Sequence, residues 1–294
     1  MSYITVQICG GLGNQMFQYA MGRALSLQHH ASLILDISWF SSSMLDCTKR
    51  EFLLDKFPNI ATSKMVLCYD KYAIPKWKRV SKKLISYIFP ITTLIQPELT
   101  YWPQIEHIPP PVRLAGYWQS EKFFSTCTNK IMQDFTFPDL PEGTGTFLAK
   151  KIQSTPNSVS LHIRRGDYIS NAKASANHGF LGQNYYQKSL QYIKNEFGLT
   201  TIFIFSDDPD WVAKNFDCNG HTAVIIDLHL LHSPYHDMHL MSLCKHHIIA
   251  NSTFSWWGAW LSMQRGLTIA PQKWFAKKKF EEYKDIYCKD WIIL

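Results

Sequence analysis

The sequence predicts an α/β protein made of two parallel-sheet domains facing a cleft. Three observations predict it. Residues 4–36 read as strand, glycine turn, helix and strand; short apolar strands alternate with helical stretches after residue 158; and a breaker-rich passage, Pro138, Pro141, Gly143 and Gly145, lies between the two halves. With 294 residues, 46% of them hydrophobic, the chain is long enough to bury two ordinary cores.

In chain order, Ile4 to Ile8 reads as a strand and Gly10-Gly11-Leu12-Gly13 as a turn. Met16 to Gln28 reads as a helix whose Phe17, Ala20, Met21, Ala24, Leu25 and Leu27 form one apolar stripe, and Leu33 to Asp36 as a second strand. Residues 40–110 carry little pattern, after which Val112 to Gly116 is a strand and a short helix runs through Phe124. The breaker passage sets the expected domains at 1–142 and 143–294. In the second half the strands are Val159 to Ile163, Thr201 to Phe205, Ala223 to Asp227, Ile248 to Ala250 and Thr268 to Ala270. Helices near Tyr185 to Asn195, Asp210 to Asn215, Asp237 to Cys244 and Ser255 to Met263 fall between them, the pattern of a doubly wound parallel sheet.

Composition excludes some classes. Charged residues are 18% and aromatics 14%, which argues against disorder and supplies flat rings that can pack sugars. A net charge of +7 attracts phosphates, nucleic acid or anionic membrane alike; nucleic acid is not an expected partner. Lys71, Lys76, Lys78, Arg79, Lys82 and Lys83 crowd beside the apolar run Leu84 to Phe89. That stretch reads first as a solvated helix face and second as a peripheral membrane or acceptor-binding element. Nothing in the first residues resembles a signal peptide, and the apolar run from Leu84 to Ile95 is shorter than the roughly 20 residues a membrane span needs. The 7 cysteines are scattered without a Cys-x-x-Cys pair. The expected location is the cytoplasm, peripheral contact with the inner face of the membrane included.

Ligands in such sheets bind beyond the strand ends. Gly10-Gly11-Leu12-Gly13-Asn14-Gln15 lets backbone approach a ligand at a helix N-terminus, where free N–H groups favour anions. It nearly matches a dinucleotide fingerprint, down to the acidic Asp36 ending the second strand, but Met16 stands where a third glycine would. An NAD-dependent oxidoreductase is therefore one alternative. In His162-Ile163-Arg164-Arg165-Gly166-Asp167-Tyr168, Arg164 and Arg165 suit a diphosphate, since guanidinium forks bind phosphate oxygens in pairs; an internal Arg165–Asp167 salt bridge is the competing reading, and His162 can be a core residue. Asn251-Ser252-Thr253-Phe254-Ser255-Trp256-Trp257 offers hydroxyls and a helix start for phosphate or sugar oxygens. In Phe205-Ser206-Asp207-Asp208, Ser206 and Asp207 are candidates for a base or ribose, and Asp208 for an N-cap. His229, His232, His236, His239, His246 and His247 crowd together without a recognisable ligand spacing, and Pro234 is expected to break the helix that would align them. No metal site is expected.

The blocks at 10–19, 162–168 and 251–257, together with 205–208 and Asp237 to His246, resemble the α-1,2-fucosyltransferases of bacteria and animals over nearly the whole chain. The resemblance implies two Rossmann-like domains facing a cleft (the GT-B arrangement), GDP-L-fucose as donor, a galactose-terminated glycan as acceptor, inversion at the anomeric carbon, and no metal or further cofactor. It implies that the C-terminal domain holds GDP, with Arg164 on the diphosphate, Ser252 to Ser255 near the phosphates and Asp207 or Asp237 toward the nucleoside, while the N-terminal domain faces the acceptor. The expected donor set is Gly11, Gly13, His162, Arg164, Arg165, Ser206, Asp207, Asp237, Asn251, Ser252, Thr253, Phe254 and Ser255. Asp167 is the first candidate base and Asp36 the second; Asn14 positions acceptor or fucose, and Gln15 and Asp36 lie on the acceptor side. A non-catalytic glycan-binding protein, favoured by the aromatic content alone, is the other alternative.

Overall fold

The computed structural model describes residues 2–41, 50–63, 66–69, 92–165, 181–228, 231 and 233–294. The chain divides into two compact units, Met1–Thr136 and Phe137–Leu294. Residues 137–142, expected to end the first domain, belong to the second, where Phe137 stacks on His239 at 4.8 Å between ring centroids.

The first unit contains β1 (Tyr3–Gln7), α1 (Leu12–Gln28), β2 (Ser32–Asp36), α2 (Pro58–Ala61), β3 (Val66–Tyr69), β4 (Thr92–Ile95), β5 (Val112–Ala115) and α3 (Thr128–Asp134). Every strand pair is parallel, in the order β3-β2-β1-β5-β4. The chain thus runs outward from β1 and returns to its other side, which makes the β1/β5 gap the switch point of this sheet. Alternate residues Ile4, Val6, Leu33 and Leu35 are buried, as the two-residue period requires. Helix α1 lies close against them: a Cβ on Gly22 would stand 2.2 Å from Val6 Cγ2 and 2.9 Å from Leu33 Cδ1. The outer side of α1 is covered too. Phe17 meets Phe124 at 6.3 Å, and Tyr19 Oη and Arg23 Nε both donate to the buried Asp134 Oδ2, at 2.8 and 2.9 Å. The helix begins at Leu12 rather than Met16, because Gly11 is its N-cap and the glycine turn feeds directly into it.

The second unit contains α4 (Thr144–Gln153), β6 (Val159–Ile163), α5 (Gln183–Phe197), β7 (Thr201–Ser206), α6 (Pro209–Asn215), β8 (Thr222–Asp227), α7 (Pro234–Leu243), β9 (His246–Ile248), α8 (Thr253–Trp260), β10 (Thr268–Ala270) and β11 (Ile292–Ile293). Its sheet is also parallel throughout, in the order β11-β10-β9-β6-β7-β8. Strand β7 shows why both faces are covered. Ile202 and Ile204 pack with Leu190 and Ile193 of α5, while Phe203 and Phe205 pack with Ile152 of α4 and with Leu240 and Met241 of α7. Strands β6, β7 and β8 are wound outward one way and the chain then returns to place β9 on the other side of β6, so the switch point lies between β6 and β9. Pro234 does not break a helix here. It occupies the first turn of α7, where its missing N–H costs nothing, and it therefore starts the helix carrying His236 and His239.

Candidate functional site

In the second unit, β6, β7 and β9 are parallel neighbours, so the segments following Ile163, Ser206 and Ile248 leave the same edge of the sheet. Arg164 follows β6 directly and is half-buried. His162, just before it, is buried, and its ring lies 5.8 Å from that of Phe254 in α8, which brings the end of β6 to the start of α8. Burial first, and the Arg164 charge second, push the His162 pKa down to about 3, so it is a neutral ring at working pH. Its Nδ1 has no partner among the described residues, and its backbone carbonyl accepts from Tyr186 Oη at 3.1 Å.

Arg165 differs from its neighbour. Its Nε donates to Asp208 Oδ2 at 3.2 Å, its guanidinium carbon stands 3.6 Å over the centre of the Trp211 ring, and its backbone N–H donates to Asp207 Oδ1 at 2.8 Å. Asp208 also caps α6 by accepting from Trp211 N at 3.2 Å. Through these contacts Arg165 braces the β6 loop against the β7 loop. Asp167 of the competing Arg165–Asp167 pair lies outside the described residues, with Gly166 and Tyr168. Ser206 is wholly buried and its hydroxyl accepts from Asp208 N at 3.0 Å, which shapes the turn.

After β9 the chain makes a tight turn, Ser252 N donating to Ala250 O at 2.8 Å. Ser252 then caps α8, its Oγ accepting from Phe254 N at 3.3 Å. Asn251 and Ser255 point inward: Asn251 Nδ2 donates to Trp274 O at 3.3 Å, and Ser255 Oγ accepts from Ala250 N at 3.2 Å and donates to Ser252 O at 3.3 Å. Thr253 and Phe254 are half-exposed, so the ligand-accessible part of this block is narrower than the sequence suggested. The Trp rings after it are core: Trp256 and Trp257 are wholly buried, and Trp256 Nε1 donates to Ile286 O at 2.6 Å.

Asp237 sits in the first turn of α7, 1% exposed, with Oδ1 unpartnered among the described residues. Burial, and then the nearby Asp227 at the end of β8, push its pKa up to about 8. A carboxyl kept buried without a partner is the costliest group at this edge, and such groups gather where ligands bind.

The glycine loop, with Gly11, Gly13, Asn14, Gln15 and Asp36, belongs to the first unit. Only Gly10 needs the conformational freedom of glycine, at φ +78°; Gly11 has an extended backbone. Gln15 is not an open acceptor-side group. It is wholly buried, its Nε2 donating to Gly10 O (3.0 Å) and Glu51 O (2.8 Å) and its Oε1 accepting from Leu53 N (3.0 Å). Asp36 is likewise engaged, by Arg113 Nη2 at 2.6 Å and by Ser38 N at 3.1 Å. Asn14 Oδ1 accepts from Gln119 Nε2 at 2.9 Å, linking the glycine loop to the segment after β5.

Sequence reasoning missed Trp211, Arg113 and the segment Tyr117-Trp118-Gln119. The first had a signal, an aromatic three residues after an N-cap aspartate, and the last directly follows a predicted strand. Of the histidine cluster, His246 Nδ1 accepts from Leu267 N at 3.0 Å and its ring stacks on Phe197. His247 Nδ1 pairs with Ser160 Oγ at 2.8 Å. His229, His232 and the basic stretch at 71–83 lie outside the described residues. Among the described residues no three His, Cys, Asp or Glu are grouped to hold a metal ion, and no helix is long and apolar enough to cross a membrane.

The model of the family described as glycosyl transferase family 11 matches residues 1–294. An alpha-1,2-colitosyltransferase of Escherichia coli is 36% identical, over 96% of this chain and 96% of its own length. The O-antigen biosynthesis glycosyltransferase WbnK of Escherichia coli is 35% identical, over 92% and 94%. The galactoside 2-alpha-L-fucosyltransferase SEC1 of Bos taurus is 30% identical over 54% of this chain and 45% of its own.

Proposed function

Since the chain belongs to glycosyl transferase family 11, we propose that it transfers L-fucose from GDP-L-fucose to the 2-hydroxyl of a galactose residue in an oligosaccharide or polysaccharide, with inversion and without a metal. The observation that carries this reading is the switch point of the second unit. There Arg164 leaves β6 beside the capped start of α8, an arrangement suited to a diphosphate. An oxidoreductase would have no use for it, and a glycan-binding module would need no cation at a strand end.

In this mechanism the acceptor hydroxyl attacks the anomeric carbon in line as GDP departs. Negative charge grows on the leaving diphosphate, and Arg164 with the N–H groups of the first turn of α8 stabilises it in place of a metal. Arg165 holds the β6 loop in position rather than touching phosphate. Asp237, at the far side of the β7 and β8 ends, is proposed to accept from the guanine N–H groups. A general base within hydrogen-bond reach receives the acceptor proton, and Asp167 is the group proposed, Asp36 being held by Arg113. The relative named for O-antigen biosynthesis supports a cell-surface polysaccharide precursor as the acceptor class.

The test is incubation with GDP-fucose and lactose, with and without a chelator, following GDP release and the product linkage by NMR. An α-1,2-linked product formed equally with chelator is expected; abolition by the chelator, or no GDP release with any galactoside, contradicts the proposal. The 36% identical colitosyltransferase favours a second reading in which the donor sugar is colitose, the 3-deoxy form of fucose. A higher kcat/KM for the GDP-colitose donor in the same assay decides for it.

A further inference from the structure

The turn after β5 combines a strained backbone with buried donors that lack partners among the described residues. A Cβ on Gly116 would stand 2.5 Å from Gln96 Cβ, so nothing larger than glycine fits. Trp118 adopts φ +54°, a left-handed conformation that a bulky residue holds only under backbone strain. Its indole N–H and Gln96 Nε2 are buried without a hydrogen-bond partner among the described residues. Several bonds hold this conformation in place. Gln96 Oε1 accepts from both Tyr117 N (2.8 Å) and Trp118 N (2.9 Å), Ser120 N donates to Trp118 O at 2.8 Å, and Gly116 O accepts from Gln18 Nε2 at 3.1 Å. The Trp118 ring is wholly buried, edge-on to Phe123 at 5.4 Å.

Between these buried residues Tyr117 is 45% exposed. The strained turn therefore carries one partly exposed aromatic residue just beyond β5, two residues before Gln119, whose amide donates to Asn14 Oδ1 at 2.9 Å. An exposed flat ring matches a pyranose with one C–H face, to which it offers apolar contact. Galactose, with its H3, H4 and H5 on one face, is such a sugar. Resting on the transfer reaction proposed above, we infer that Tyr117 is an acceptor-binding, specificity-determining residue whose ring packs against the apolar face of the acceptor galactose.

Two measurements test this. In steady-state kinetics Tyr117→Ala raises the acceptor KM by about tenfold or more, leaves the GDP-fucose KM and the slow hydrolysis of GDP-fucose by water unchanged, and keeps the wild-type Tm, while Tyr117→Phe stays within about twofold of wild type. Saturation-transfer NMR with methyl β-galactoside, recorded without donor, shows the H3, H4 and H5 signals in the wild type and loses them in Tyr117→Ala. An unchanged acceptor KM in Tyr117→Ala, or an equal rise in both KM values, overturns the inference and leaves the transfer reaction standing. A wild type that binds the galactoside through Tyr117 yet transfers nothing from GDP-fucose overturns the donor instead. A wild type that does neither overturns both.

Discussion

Arg164 and Arg165 are adjacent in sequence, and the proposed reaction uses them differently. Arg165 is paired with Asp208 and stacked on Trp211, whereas Arg164 directly follows the strand end at which the His162 ring meets Phe254 of α8. Arg164→Ala is expected to lose about a hundredfold to a thousandfold in turnover, the usual effect of removing one preorganised donor, with Tm unchanged; a folded variant retaining most of its turnover contradicts the assignment. Asp237 gives a second prediction, in stability. Its pKa is raised from 3.8 to about 8 by burial and by Asp227, so the folded chain binds this proton more tightly than the unfolded chain. The stability this contributes is fully present at pH below 3.8 and is lost as pH rises through about 8. Asp237→Asn is neutral at every pH. Its Tm advantage over the wild type should therefore widen between about pH 5 and about pH 9, while its GDP affinity falls. A Tm difference that does not change with pH would show that the carboxyl is not buried in its neutral form.

At the scale of elements, α1 is set by Gly22 as much as by its apolar stripe. Ala at this position gains about 1 kcal/mol in helix propensity, but its Cβ would lie 2.2 Å from Val6 Cγ2 in a filled core. Overpacking of this kind costs roughly 1–3 kcal/mol. Gly22→Ala should lower the denaturation midpoint, and adding Val6→Ala should restore part of the loss; simple additivity of the two changes would argue against the contact. The same elements show what the sequence made legible. Strands β6, β7 and β10 read directly, because buried parallel strands are continuous apolar runs. Strand β4 did not: Thr92, Thr93 and Ile95 are exposed on an edge, so no burial pattern marks them. Helix α4 was hidden in the breaker-rich passage, since it begins right after Gly143 and the glycines read as linker. Pro234 was read as a break because proline stops helices; at the first turn it starts one.

At the scale of the molecule, two parallel sheets each have a switch point, and the blocks singled out from sequence fall at them. Arg164, Thr253 and Phe254 gather at the edge of the second sheet and Asn14 at the edge of the first. Ser206, Asn251, Ser255 and Gln15 were not distinguishable from them in sequence, because a hydroxyl or amide that shapes a turn looks the same as one that meets a ligand until its partners are known. Tyr117 was legible in principle, as the residue just beyond a predicted strand, but an exposed aromatic on a strained turn has no pattern of its own. The central claim is that the nucleoside diphosphate sits at the switch point of the second sheet. Hydrogen–deuterium exchange with and without GDP tests it most directly. Protection is expected at residues 163–165, 206–208 and 250–254 with the glycine loop at 10–15 unchanged; protection confined to that glycine loop would place the diphosphate elsewhere.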